Sequence, residues 1–224
     1  IHEFGNLDVL RWEEVAEPKP RPHQVLIKVD SAGVNYADIM RRSGNYPGPD
    51  LPSAMGLEAA GTVTEVGSEV TDLSVGQRVM AMGPGGQAEY VAVNGNFVFP
   101  YPETMDPVQA GGMPIVFLTS YHLLKSRGHL EIGDTVLVQA GASGVGTVSI
   151  QLAKAWGAKV IATASTQEKL DLARSLGADV TINYTTHDFE EAVLEETGGK
   201  GVELILECVG GPVLGKSVRC VASF

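Results

Sequence analysis

Residues 135–165, TVLVQAGASGVGTVSIQLAKAWGAKVIATAS, read as strand, glycine turn, helix and strand. Residues 135–139 form a short β-branched run of the kind buried on both faces of a parallel sheet. The turn is Ala140-Gly141-Ala142-Ser143-Gly144-Val145-Gly146. Val145, Val148, Leu152 and Trp156 then recur at helical spacing, and residues 159–163 are β-branched again. A strand-turn-helix of this kind aims backbone N–H groups and the positive end of a helix dipole at one place, which suits a phosphate. The glycines are spaced GxxGxG at Gly141, Gly144 and Gly146 instead of the usual GxGxxG. The flanking strands and helix therefore carry the dinucleotide reading, against a purely structural glycine turn.

Downstream the pattern continues as βαβαβαβ, with strands near 135–139, 159–163, 179–183 and 202–208. Strands alternating with helices imply an α/β fold with a doubly wound parallel sheet. The last strand runs into Val209-Gly210-Gly211, and ligands in such sheets gather at the carboxyl ends of the strands. An NAD site places an acidic residue about 20 positions on, at the ribose. Here the second strand ends Ala162-Thr163-Ala164-Ser165-Thr166 with no acid, and Lys169 follows. The missing carboxylate removes repulsion toward a 2′-phosphate, so NADPH is expected over NADH. That Lys169 is only a solvated helix residue stays open.

Upstream, residues 23–30 (HQVLIKVD) alternate as a half-buried strand after the proline-spaced residues 17–22, and the opening segment reads as an extended edge. Residues 35–42 suit two helical turns. Residues 43–56 hold three prolines and three glycines, a long irregular loop of the sort that is often functional. Residues 61–67, 78–82 and 87–93 read as short strands. From Asp106 the texture turns helical, with Pro114 a kink or break before residues 117–128, where Phe117, Tyr121 and Leu124 share a face. The expected domains are a mainly β region, residues 1–105, and a dinucleotide-binding region, residues 106–224.

Acidic residues outnumber basic ones 27 to 16, a net charge of −11, so the basic footprint of a nucleic-acid binder is absent. Apolar stretches are broken within about 10 residues, so no membrane span or signal segment is expected and the cytoplasm is the default location. Cys208 and Cys220 lack disulfide or zinc spacing and are expected as reduced, buried thiols. The chain starts without methionine and stops without a capping signal, which reads as a fragment.

Several ordered stretches resemble the zinc-independent quinone oxidoreductase, or zeta-crystallin-like, branch of the medium-chain dehydrogenase/reductase superfamily. They are VLIKVDSAGVNYADIMRRSGNYP, GLEAAGTVTEVG, VGQRV, AEYVAV, FLTSYHLL, AGASGVGTVSIQLAKAWGAKVIATAS and LGADVTINY. The resemblance implies an N-terminal GroES-like β domain plus a Rossmann domain, truncated at the C-terminus by about one hundred residues relative to family members. It also implies a homodimer for the full-length protein.

Where zinc-dependent cousins place a cysteine and a histidine ligand, this chain has Asn35 and Leu57, neither of which supplies the thiolate or imidazole that catalytic zinc requires. Gly83-Pro84-Gly85-Gly86 stands in place of their four-cysteine zinc lobe, and Glu58 alone survives. The resemblance then implies NADPH-dependent hydride transfer to a small quinone or enone. Enoyl-thioester reduction and a non-catalytic NADPH-binding role are the alternatives.

By the same resemblance Asn35 and Thr119 lie near the nicotinamide. Tyr46 lines the substrate cleft and is able to give a proton or hydrogen bond. Ser143, Gly144 and Val145 approach the pyrophosphate, Ser165, Lys169 and Tyr184 surround the 2′-phosphate, and Cys208 and Val209 touch the nicotinamide ribose. Plain structural roles remain open for several: an Asx-type turn at Asn35, a helix-interior threonine at Thr119, packing aromatics at Tyr46 and Tyr184.

Overall fold

The computed structural model describes residues 1–223. Contacts partition the chain into two units, Ile1–Ile115 and Val116–Phe224.

In the first unit five antiparallel strands, β1 (Gln24–Ala32), β2 (Glu58–Val66), β3 (Arg78–Met82), β4 (Tyr90–Asn94) and β5 (Val98–Pro100), lie in the order β4-β1-β2-β3-β5. Alternation decides the core: Val25 and Ile27 of β1 pack with Val63, Val79, Ala81, Val91 and Val93 from the neighbouring strands. Register shifts between Leu26 and Ile27 and between Val29 and Ser31 kink β1 against β2. Helix α1 (Tyr36–Arg42) follows β1, and the short α2 (Pro107–Gly111) packs on β1, β2 and β3. Ser31 Oγ fastens α2 by donating to the Pro107 carbonyl at 2.5 Å. This packing carries the first unit to Ile115.

The opening residues were expected as an extended edge but form only a 3-10 turn at Leu7–Val9. Pro18, Pro20 and Pro22 lack the N–H groups that a ladder needs.

Helix α3 (Pro114–Tyr121) begins at its proline, which neither kinks nor breaks it, because the first helical position has no use for an N–H. A π-helical turn, His122–Arg127, continues it. The second unit then alternates β6 (Thr135–Val138), α4 (Gly144–Ala155), β7 (Lys159–Ala164), α5 (Gln167–Ser175), β8 (Val180–Asn183), α6 (Phe189–Glu196), β9 (Leu204–Leu206) and α7 (Pro212–Arg219). The four strands are parallel in the order β8-β7-β6-β9. Val136 and Val138 enter one core cluster with Ile150 and Val160, while Leu137 enters another with Ile161, Ile182 and Phe189. Burial on both faces explains why β6 is apolar at every position after Thr135.

Strand β9 is shorter than the expected 202–208. Glu207 accepts hydrogen bonds from the Val209 and Gly210 N–H groups and curls the chain out of the ladder. Among the described residues no helix is long and apolar enough to cross a membrane.

Candidate functional site

In the second unit the turn after β6 opens with Ala140 in the left-handed region, φ 51°, a conformation that costs a non-glycine residue about 1–2 kcal/mol. Ser143 is the N-cap of α4, its Oγ accepting from the Gly146 N–H at 3.1 Å. A Cβ on Gly146 would lie 2.4 Å from the Ala140 carbonyl oxygen, so only glycine lets the helix start this close to the strand. The N–H groups of Gly144 and Val145 find no acceptor among the described residues. Two free donors at the positive end of a 12-residue helix fit a pyrophosphate.

At the carboxyl end of β7, Lys169 in the first turn of α5 reaches Ser165, Nζ donating to Oγ at 3.5 Å. Thr166 caps α5 by accepting from the Lys169 N–H at 3.4 Å, which holds the base of that lysine. Tyr184, just past β8, is half exposed, and its N–H donates to the Ala164 carbonyl at 3.2 Å. Ser165, Lys169 and Tyr184 thus gather at adjacent strand ends.

Cys208 and Val209 lie on the loop after β9, and both are exposed. The expectation of a buried Cys208 is therefore corrected: β9 ends at Leu206, so position 208 has left the sheet, whereas Cys220 is fully buried.

Thr119 is partly buried on α3. Its neighbour Ser120 was not singled out from sequence, yet it is fully buried and donates from Oγ to the Val145 carbonyl at 3.2 Å. Ser149 Oγ donates to Ser120 Oγ at 3.0 Å, fixing the register of α3 on α4.

In the first unit Asn35 is the N-cap residue of α1, its backbone N–H donating to the Asp38 carboxylate at 2.8 Å. Its Nδ2 donates to Glu58 Oε1 at 2.7 Å. The Ile115 N–H donates to the other oxygen of Glu58 at 2.8 Å. Glu58 is only 2% exposed, and burial pushes its carboxyl above the ordinary glutamate range despite those two donors. A Cβ on Gly33 would lie 2.1 Å from Glu58 Oε1, so the glycine makes room for this carboxyl. The pairing favours a defined orientation for Asn35 over a bare turn residue. Tyr46, on the irregular loop 43–56, is 38% exposed, so its phenol is accessible rather than sealed in the core.

Among the described residues no group of three or more His, Cys, Asp or Glu side chains could hold a metal ion.

Comparison with known proteins matches residues 21–103 to the alcohol dehydrogenase GroES-like domain and residues 144–224 to the zinc-binding dehydrogenase family. A 2-haloacrylate reductase of a Burkholderia species is 38% identical over 99% of this chain and 68% of its own length. A quinone oxidoreductase of Pseudomonas aeruginosa is 38% identical over 98% of this chain, again spanning 68% of the relative. The crystal structure of Escherichia coli quinone oxidoreductase complexed with NADPH superposes with a TM-score of 0.93 at 34% identity, covering 98% of this chain and 68% of that one. The GroES-like strand order, the glycine turn and these relatives agree, and the chain belongs to the quinone oxidoreductase branch of the medium-chain dehydrogenase/reductase superfamily.

Proposed function

We propose that this chain carries out NADPH-dependent reduction of small quinones or activated α,β-unsaturated carbonyl compounds without zinc. The observation that carries the cofactor choice is the end of β7, where Lys169 meets Ser165 and no acidic residue stands in the segment 162–166. A lysine ammonium and a serine hydroxyl suit a 2′-phosphate, and no carboxylate stands at the strand end itself, residues 162–166. The fit extends to the pyrophosphate, for which the Gly144 and Val145 N–H groups are free.

The bound dinucleotide supplies the hydride, and the protein supplies placement and polarity. Ser143, Gly144 and Val145 hold the pyrophosphate, Cys208 and Val209 border the ribose, and Asn35 and Thr119 orient the nicotinamide or the acceptor. A conjugated acceptor spreads its developing negative charge onto an oxygen, and an accessible Tyr46 phenol offers that oxygen a proton or hydrogen bond. Asn35 and Leu57 supply neither a thiolate nor an imidazole, so the polarising group in this reading is a hydrogen-bond donor. A small-molecule acceptor, a cytoplasmic location and assembly as a homodimer in the full-length protein complete the proposal.

Titration with both dinucleotides tests it. NADPH is expected to bind more tightly than NADH, and Lys169→Ala to weaken NADPH by roughly ten-fold while leaving NADH unchanged. Equal weakening of both removes Lys169 from the 2′-phosphate. An NADPH-oxidation screen of quinones, enones and enoyl thioesters then fixes the acceptor class, and turnover confined to thioesters would replace the present substrate assignment.

A further inference from the structure

A buried polar chain runs across the carboxyl ends of three strands in the second unit and terminates at the loop bordering the dinucleotide crevice. Thr163 Oγ1, in β7, donates to Gln139 Oε1 at 2.5 Å. Gln139, immediately after β6, donates from Nε2 to Ser217 Oγ of α7 at 3.2 Å. Ser217 Oγ passes its hydrogen to Glu207 Oε2 at 2.6 Å. Glu207 Oε1 accepts from the N–H groups of Val209 at 2.6 Å and Gly210 at 2.9 Å. Thr163, Gln139 and Ser217 are 0%, 3% and 2% exposed.

Three buried polar side chains in a sheet core are costly unless every group is satisfied, and here each donor finds a successive acceptor. The chain fixes more than the sheet, which already holds itself: β6 and β9 pair by their own backbone bonds, and the Gln139 N–H reaches the Leu206 carbonyl at 3.1 Å. What it adds is the conformation of residues 207–211. That loop faces open space on its other side, where Val209 is 54% exposed and a Cβ on Gly210 or Gly211 would meet nothing within 4 Å. The phosphate turn is tied to the same chain, because the Gly141 N–H donates to the Thr163 carbonyl at 2.8 Å.

We propose that Glu207 is a positioning residue of the dinucleotide crevice. By holding the loop 207–211 against the ends of β6 and β7, it sets the affinity for the part of the cofactor that NADPH and NADH share. This rests on the dinucleotide reading above and adds a residue distinct from Lys169, whose effect is confined to the 2′-phosphate.

The test is the dissociation constant of NADPH and of NADH, read by nicotinamide fluorescence at temperatures where circular dichroism shows each variant folded. Glu207→Ala is expected to weaken both dinucleotides by about ten-fold and leave their ratio unchanged. Glu207→Gln, whose Oε1 still accepts from Val209 and Gly210, is expected to recover binding to within about three-fold of wild type. Ser217→Ala, which loosens Glu207 from behind, is expected to weaken both by about three-fold.

A folded Glu207→Ala that binds both dinucleotides as wild type does overturns the proposal, as does one that loses NADPH alone. If Glu207→Ala does not fold, unchanged constants in Ser217→Ala overturn it. Wild-type protein that binds neither dinucleotide overturns the proposed function instead.

Discussion

Glu58 and Glu207 carry the same carboxyl group in two settings, one in each unit. Glu58 is buried with two donors, Asn35 Nδ2 and the Ile115 N–H, and burial wins: its carboxyl titrates above the ordinary range. Glu207 is only partly buried. Burial again pushes its carboxyl up, but Ser217, Gly210 and Val209 donate to it and together hold it below the ordinary range. Neither has a cation at hydrogen-bond distance among the described residues. The sign of the shift is decided by how many donors meet the charge for a given loss of water, not by residue type. Each glutamate holds a neighbour that the family resemblance assigns to the site, Asn35 in one case and the loop bearing Val209 in the other.

Deleting the better buried carboxyl has the largest expected effect. Glu58→Ala strands the Asn35 amide and the Ile115 N–H and leaves a cavity, so a loss of roughly 2–4 kcal/mol in unfolding free energy by denaturant titration is expected. A loss below that of Glu207→Ala would reverse the ranking drawn here.

The two carboxyls also give stability opposite dependences on pH. Glu58 has a raised folded value, so its contribution is complete below the unfolded value of about 4.3 and is lost as pH rises through the folded one. Glu207 has a lowered value, so its contribution is complete above about 4.3 and is lost as pH falls through the folded one. The melting temperature of Glu58→Gln minus wild type is therefore expected to climb with pH, and that of Glu207→Gln minus wild type to fall. Parallel slopes would mean that the two settings do not differ.

A smaller effect tests the hydroxyl pair that joins α3 to α4. Ser149→Ala leaves Ser120 without its donor and is expected to cost about 1 kcal/mol. The smallest concerns strain: among the described residues the non-glycine positions at positive φ, His129 and Ala140, both lie in the second unit. Ala140→Gly relieves the left-handed alanine but adds chain entropy to the unfolded state, so a net gain of about 0.5 kcal/mol in the same titration is expected.

What could be read along the chain follows from local physics. Two β-branched runs flanking a stretch of helical periodicity in residues 135–165 predicted β6, α4 and β7, and the helix start at Gly144 agrees with the capping serine before it. Ser165 directly precedes the N-cap of α5 and Lys169 lies in its first turn, so the helix start alone brings them together. Cys208 was misjudged because an apolar run does not announce where a strand stops. Glu207 ends β9 through bonds to its own following loop, which a hydrophobic pattern does not contain.

Local sequence alone was enough for the fold class, for the glycine turn between β6 and α4 and for the lack of an acid in residues 162–166, because each depends on residues within a turn or two of one another. Only the tertiary structure decided which polar groups hold the site in shape. Asn35 meets Glu58 across 23 positions and Gln139 meets Ser217 across 78. Such contacts are chosen by strand order and burial, where a polar atom without a partner is too costly to keep, and no local pattern records which distant side chain will satisfy it.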